Sequence, residues 1–200
     1  MAKVFRVYVE KKTGNDIEAR HIRDDLKTNV GIKGIEKLRI INRYDAQGVS
    51  ADEFSRAVNE ILSEPNLDNV YDEIDIPADW RYFATEFLPG QYDQRADSAA
   101  QCIQLLTAGD RPVIASAKVI AVKGDISDAE FAKIKSYIIN PVESREASMD
   151  MPETLDISAD VPADIVRING FIQKTDDEIV AYHASMGFAM SVADLCWVRD

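Results

Sequence analysis

The feature that most constrains this chain is an internal repeat. A forward shift of 77 positions carries Asp16 onto Asp93, Ala19 onto Ala96 and Leu26 onto Ile103. The same shift carries Val49-Ser50-x-x-Glu53-Phe54 onto Ile126-Ser127-x-x-Glu130-Phe131, and Ile61-Leu62 onto Ile138-Ile139. Phe5 falls on Tyr82. A lone Ser-x-x-Glu is common, because the hydroxyl reaches the third helical N–H while the carboxylate reaches back to the cap. Two such boxes with their apolar neighbours in register are not common, and the chain reads as a duplication.

Each copy carries the pattern strand, helix, strand, helix, strand. In the first, Val4, Val7 and Val9 predict a short strand that Gly14 and Asn15 break. Asp16 opens a helix through Ile17, Ala19, Ile22 and Leu26, and Gly31 ends it. Ile35 to Tyr44 reads as a long strand or a strand bent into two. The Ser50 box starts a second helix through Phe54, Val58, Ile61 and Leu62, which stops at Pro65. Leu67 to Ile76 supplies a further strand interrupted by acids. Such a unit sets two helices on one face of an antiparallel sheet, the ferredoxin-like arrangement. A copy of about 75 residues buries too little surface alone. The expected fold class is therefore α+β, with two tandem ferredoxin-like repeats, 1–78 and 79–148, packed as a pseudo-dimer about a pseudo-twofold axis.

Beyond the second copy the composition changes. Met149 to Pro162 is acidic and holds two prolines, so 149–164 reads as a linker. Residues 165–200 read as the start of a small, mostly helical linker domain. Ile165-Val166-Arg167-Ile168 predicts a short strand stopped by Asn169-Gly170, and Thr175-Asp176-Asp177-Glu178 a boxed helix ending at Gly187. Ser191 caps a last helix with Val192, Leu195, Cys196 and Val198. With no Gly, Asn or Pro near Asp200, the expectation is a helix truncated at its C-terminus, in a fragment of something longer.

Composition narrows the function. A formal charge of −12 disfavours non-specific binding to nucleic acid or anionic membrane, and it is dispersed along Asp72–Asp79 and Asp150–Asp177, as a solubilising surface is. No run approaches the roughly 18 apolar residues of a membrane helix, and the N-terminus lacks the apolar core of a signal peptide. The two cysteines, Cys102 and Cys196, have no CxxC spacing, which points to a reducing, cytoplasmic setting without structural zinc. No GxGxxG, Walker A, GxSxG or HExxH motif is present. His21 and His183 read as surface residues, and both cysteines as buried, inert small hydrophobes. No catalytic residue, metal ligand or cofactor site is expected in these 200 residues.

The best candidate is the stretch Leu88–Cys102. Leu88-Pro89-Gly90 closes an apolar run, and Asp93 stands where a helix begins. The face made by Arg95, Asp97, Ser98 and Gln101 is built of directional hydrogen-bonding groups, where its twin Asp16–Asp25 carries long surface charges. A guanidinium there suits a phosphate or carboxylate. Ion pairing between domains, with the alanines allowing close helix packing, accounts for the same residues equally well. Asn140–Glu146, with its paired charges, reads as an interface strand or loop.

LPGQYDQRADSAAQCIQLL, AKVIAVKGDIS and YIINPVESREAS, with the opening Val4–Lys11 and Asn42–Asp45, resemble the N-terminal region of the large single-chain phosphoribosylformylglycinamidine synthases. The resemblance spans essentially the whole chain. It implies a double copy of a small accessory subunit, in agreement with the repeat, and a linker domain from Met149 onward. Synthetase and glutaminase domains of the same enzyme are then the implied partners, with neither nucleic acid nor membrane. It also implies a glutamine- and ATP-dependent ligase whose ATP and magnesium residues and Cys–His–Glu triad lie downstream of Asp200. This portion would dock those domains and border the substrate and ammonia path, with Arg95, Asp97, Ser98 and Gln101 facing substrate or interface, and would be inactive alone. The alternative expectation is a free-standing ferredoxin-like module that binds a small regulatory metabolite.

Overall fold

The computed structural model describes residues 3–156 and 167–200. The chain forms two compact units, Met1–Ile157 and Ser158–Asp200. In the first, strand β1 (Val4–Lys11) leads to helix α1 (Ile17–Thr28) and strand β2 (Ile35–Gln47). Helix α2 (Ala51–Ala57) runs on as a π-turn over Val58–Leu62, and strand β3 (Asp68–Tyr71) follows. The order then runs through again as β4 (Trp80–Phe87), α3 (Gln94–Thr107), β5 (Val113–Gly124), α4 (Asp128–Ile138) and β6 (Ser144–Ala147). The six strands form one antiparallel sheet in the order β3-β1-β2-β5-β4-β6. Its longest ladder is β2 on β5, from Ile35 opposite Gly124 to Gln47 opposite Val113, with a break in register between Ile35 and Lys37. The two halves thus share one sheet, with their middle strands paired.

Local chemistry sets the helix starts. Ser50 with Glu53, and Ser127 with Glu130, form reciprocal capping boxes. At α3 the Asp93 carboxylate accepts from the Ala96 N–H at 2.9 Å. Where β2 begins and β5 ends, the backbones nearly touch: a Cβ on Gly34 would lie 1.9 Å from the Asp125 carbonyl oxygen, so only glycine fits.

All four helices pack on one face. Ala19 and Leu26 of α1 share a core with Phe131 and Ile134 of α4, over Ile35, Leu38 and Ile40 of β2 and Ile120 of β5. Phe54 of α2 and Ala99 of α3 share the other core, over Val7 and Val9 of β1 and Tyr44 of β2. Each core joins a helix of one half to a helix of the other.

The constant shift of 77 holds for the helices and fails for the strands. Val7 and Val9 face the helices and Tyr8 the opposite side. Phe83 faces the helices and Ala84 the opposite side, so β1 and β4 match at 76. Phe5, stacked on Phe54 at 5.2 Å, therefore corresponds to Arg81 and not to Tyr82. Arg81 lies over Phe131, 4.2 Å from the ring centroid, in the equivalent place. One residue of slip exchanges the faces of a strand, and the extra residue is taken up in the longer connection from β4 to α3.

The sheet's second face buries Tyr8, Ile41, Ala84, Ala117 and Val119. The strand expected from Leu67 to Ile76 stops at Tyr71, because Ile74 and Ile76 turn back and pack on this face. Here too lie Arg6, Arg43 and Asp45, all buried. Arg6 grips Asp45 with two bonds of 2.5 and 2.9 Å. It also donates to the carbonyls of Met149 (2.8 Å) and Asp150 (3.0 Å), while Arg43 donates to that of Ser148 (2.6 Å). Gln47 accepts from the Leu155 N–H. The segment read as a linker is therefore held to the sheet over Met149–Asp156; 157–164 lie outside the described residues.

In the second unit, helix α5 (Asp176–Met186) and helix α6 (Val192–Arg199) start at reciprocal boxes on Thr175 and Ser191. They bury Ile179 and Leu195, and Arg199 ties Asp176 at 2.6 Å. Of the strand expected over Ile165–Ile168, Ile165 and Val166 lie outside the described residues, and Arg167 and Ile168 are irregular. His183, read as a surface residue, is half-buried, with Nε2 2.6 Å from the Met190 carbonyl oxygen. Among the described residues no helix is long and apolar enough to cross a membrane.

Candidate functional site

On the helix side, the apolar rows of β2 and β5 are interrupted by Asn42, Ser116 and Lys118, near the centre of the sheet where Asn42 pairs Lys118. The first turns of α1 and α3 bring their side chains to this polar stripe. Asp93, besides capping α3, accepts from the Ser116 hydroxyl at 2.8 Å. Arg95 Nη1 donates to the Tyr44 hydroxyl at 2.9 Å. Lys118 donates to Glu18 at 2.6 Å, an ion pair between one half and the other. The twin helix is thus less detached than its long charges suggest, since Glu18 stands where α3 has Arg95.

A groove of about 350 Å³ opens beside these groups. Arg95, Lys118 and Thr85 line it together with apolar side chains, among them Ile22, Phe87, Ile120 and Tyr137. Thr85 Oγ1 is buried in the protein and finds no hydrogen-bond partner among the described residues. A larger cleft of about 850 Å³ lies by the end of β1. Most of its cations are engaged by the protein itself: Arg39 holds Glu10 at 2.8 Å, Arg20 pairs Asp16 and Arg23 pairs Asp24. That leaves the smaller groove, with Arg95, as the better candidate for recognition.

The four residues singled out from the sequence do not act together. Arg95 and Asp97 are two apart, about 200° around the helix, and side chains so spaced do not meet. Arg95 lines the groove. Asp97 accepts from the Tyr92 hydroxyl (2.9 Å) and from Gln101 Nε2 (2.9 Å), and pairs with Arg111. The Tyr92 hydroxyl, with Arg111 behind it, holds the Asp97 carboxyl below the usual carboxylate range. Ser98 is exposed on the Arg95 side. Cys102, expected to be buried, is exposed there as well. The buried stripe of α3 is Ala96, Ala99, Ala100 and Ile103, and Cys102, seven residues on from Arg95, shares the outer face with it.

Glu18, Tyr44, Thr85, Ser116 and Lys118 were not singled out from the sequence. The legible signal was Ser116 and Lys118 on the same side of β5 as Ile114, Ile120 and Val122, polar groups in an otherwise apolar row. Among the described residues no cluster of three or more His, Cys, Asp or Glu side chains could hold a metal ion. No family model and no curated protein matches this chain.

Proposed function

We propose that this chain is the N-terminal part of a single-chain phosphoribosylformylglycinamidine synthase. That enzyme is the cytoplasmic, glutamine- and ATP-dependent ligase that converts formylglycinamide ribonucleotide to the amidine in purine biosynthesis. In this reading the first unit is a tandem pair of ferredoxin-like repeats fused into a pseudo-dimer. It docks the synthetase and glutaminase domains and borders the substrate and ammonia path, and the surface of α3 with Arg95, Asp97, Ser98 and Gln101 faces them. The observation that carries the reading is the element order run through twice across one β2–β5 ladder. Fusion of two copies of a small accessory subunit produces that arrangement. The LPGQYDQRADSAAQC segment supports it, forming the connection that follows β4 and the first part of α3.

The reading frame beyond Asp200 in the native gene tests this directly. Synthetase and glutaminase domains encoded there are the expected result, and a stop codon directly after Asp200 overturns the reading. The 200 residues alone are expected to turn over neither ATP nor glutamine, and measurable turnover would contradict the division of labour.

A further inference from the structure

Among the described residues Arg95 is a cation without an anion. Its one side-chain partner among those residues is the neutral hydroxyl of Tyr44; of the carboxylates nearby, Glu18 holds Lys118, Glu86 holds Arg145 at 2.8 Å, and Glu143 forms no ion pair there. A guanidinium at the mouth of an apolar groove, with donors still free, is a receptor for a planar anion. The groove floor offers Ile22, Phe87, Ile120 and Ile138, enough to cover a small hydrocarbon body. The orphaned Thr85 hydroxyl adds a buried polar group that calls for a partner.

We propose that this groove binds a small molecule carrying one carboxylate on an apolar body, with the carboxylate on Arg95. Charge favours a monoanion. Glu18 and Glu143 line the groove, and a doubly charged phosphate would meet more of their repulsion than a single carboxylate does. The volume of about 350 Å³ sits at the low end for ligand pockets and suits a small body. The site does not depend on the ligase reading. It stands or falls on binding to the 200-residue chain, whatever the gene encodes next.

The probes are 3-phenylpropanoate, its alcohol 3-phenylpropanol and inorganic phosphate, titrated into the chain while backbone amide shifts are followed by NMR. Saturable binding of 3-phenylpropanoate is expected, with the shifted amides clustered at Thr85–Phe87, Arg95 and Ser116–Ile120. Loss of the charged hydrogen bonds should weaken it at least tenfold in Arg95→Gln, and the alcohol should bind the wild type at least tenfold more weakly than the acid. Arg95→Lys, which keeps the charge and loses the fork, should fall between. Arg95 is on an exposed first turn, and an unchanged amide spectrum outside the groove confirms that the variants fold. No saturation up to roughly 10 mM acid, equal affinity for acid and alcohol, full binding by Arg95→Gln, or tighter binding of phosphate would each overturn the proposal.

Discussion

Single side chains on α3 take opposite duties because of where 100° of rotation leaves them. Arg95 reaches inward to Tyr44, while Asp97 collects Tyr92, Gln101 and Arg111 on the surface. The Asp97 carboxyl is held below its ordinary range in the folded chain, so the unfolded chain takes up its proton first as pH falls. The stabilisation is therefore present above the ordinary aspartate value of about 3.9 and lost as pH falls through the lower folded value. Asp97→Asn should melt below the wild type near neutrality, and the two melting curves should converge as pH falls through the lowered folded value. A gap of constant size at every pH would contradict this. The residue was legible as polar and directional. Its partners were not, because Tyr92 and Arg111 lie on the connections at either end of the helix and only folding brings them together.

At the scale of elements, helix starts were the most legible. The boxes at Ser50, Ser127, Thr175 and Ser191 close within four residues, so sequence spacing alone determines whether their atoms can meet. Strands are less transparent. β1 is buried on both faces, so its pattern lacks the clean alternation of a half-exposed strand. The match of Phe5 to Tyr82 failed for a related reason: similar aromatic side chains were aligned across a one-residue slip. The Met149–Asp156 strap was also hidden, since its polar sequence pairs with charges on β1 and β2. Arg6 and Arg43 share Asp45 under that strap, and burial lowers the affinity of Arg43 for its proton. Removing Asp45 leaves two buried guanidinium groups with no carboxylate between them. Asp45→Ala is expected to cost about 3–5 kcal/mol in urea unfolding, and to free the strap for proteolysis near Met149. A loss under about 1 kcal/mol would show that the pair behaves as a surface ion pair.

For the first unit as a whole, the decisive fact is that its cores are mixed. α1 packs with α4 and α2 with α3, and the β2–β5 ladder carries the middle of the sheet. Residues 1–78 expressed alone therefore have half of each core and an open central edge. They should show no cooperative thermal transition as a monomer, and adding residues 79–157 as a separate chain should restore one. Independent two-state folding of 1–78 as a monomer, seen by circular dichroism and sedimentation, would refute the mixed-core account.

The sequence by itself determined the doubled element order, the helix caps and the α+β class, because these rest on contacts within a few residues and on periodicity along the chain. Tertiary structure alone decided which helices share a core, which face each strand presents and which polar groups line the groove beside Arg95. Those choices turn on strand register and on partners a hundred or more residues apart, such as Glu18 and Lys118, where a shift of one residue moves a side chain to the other side of the sheet.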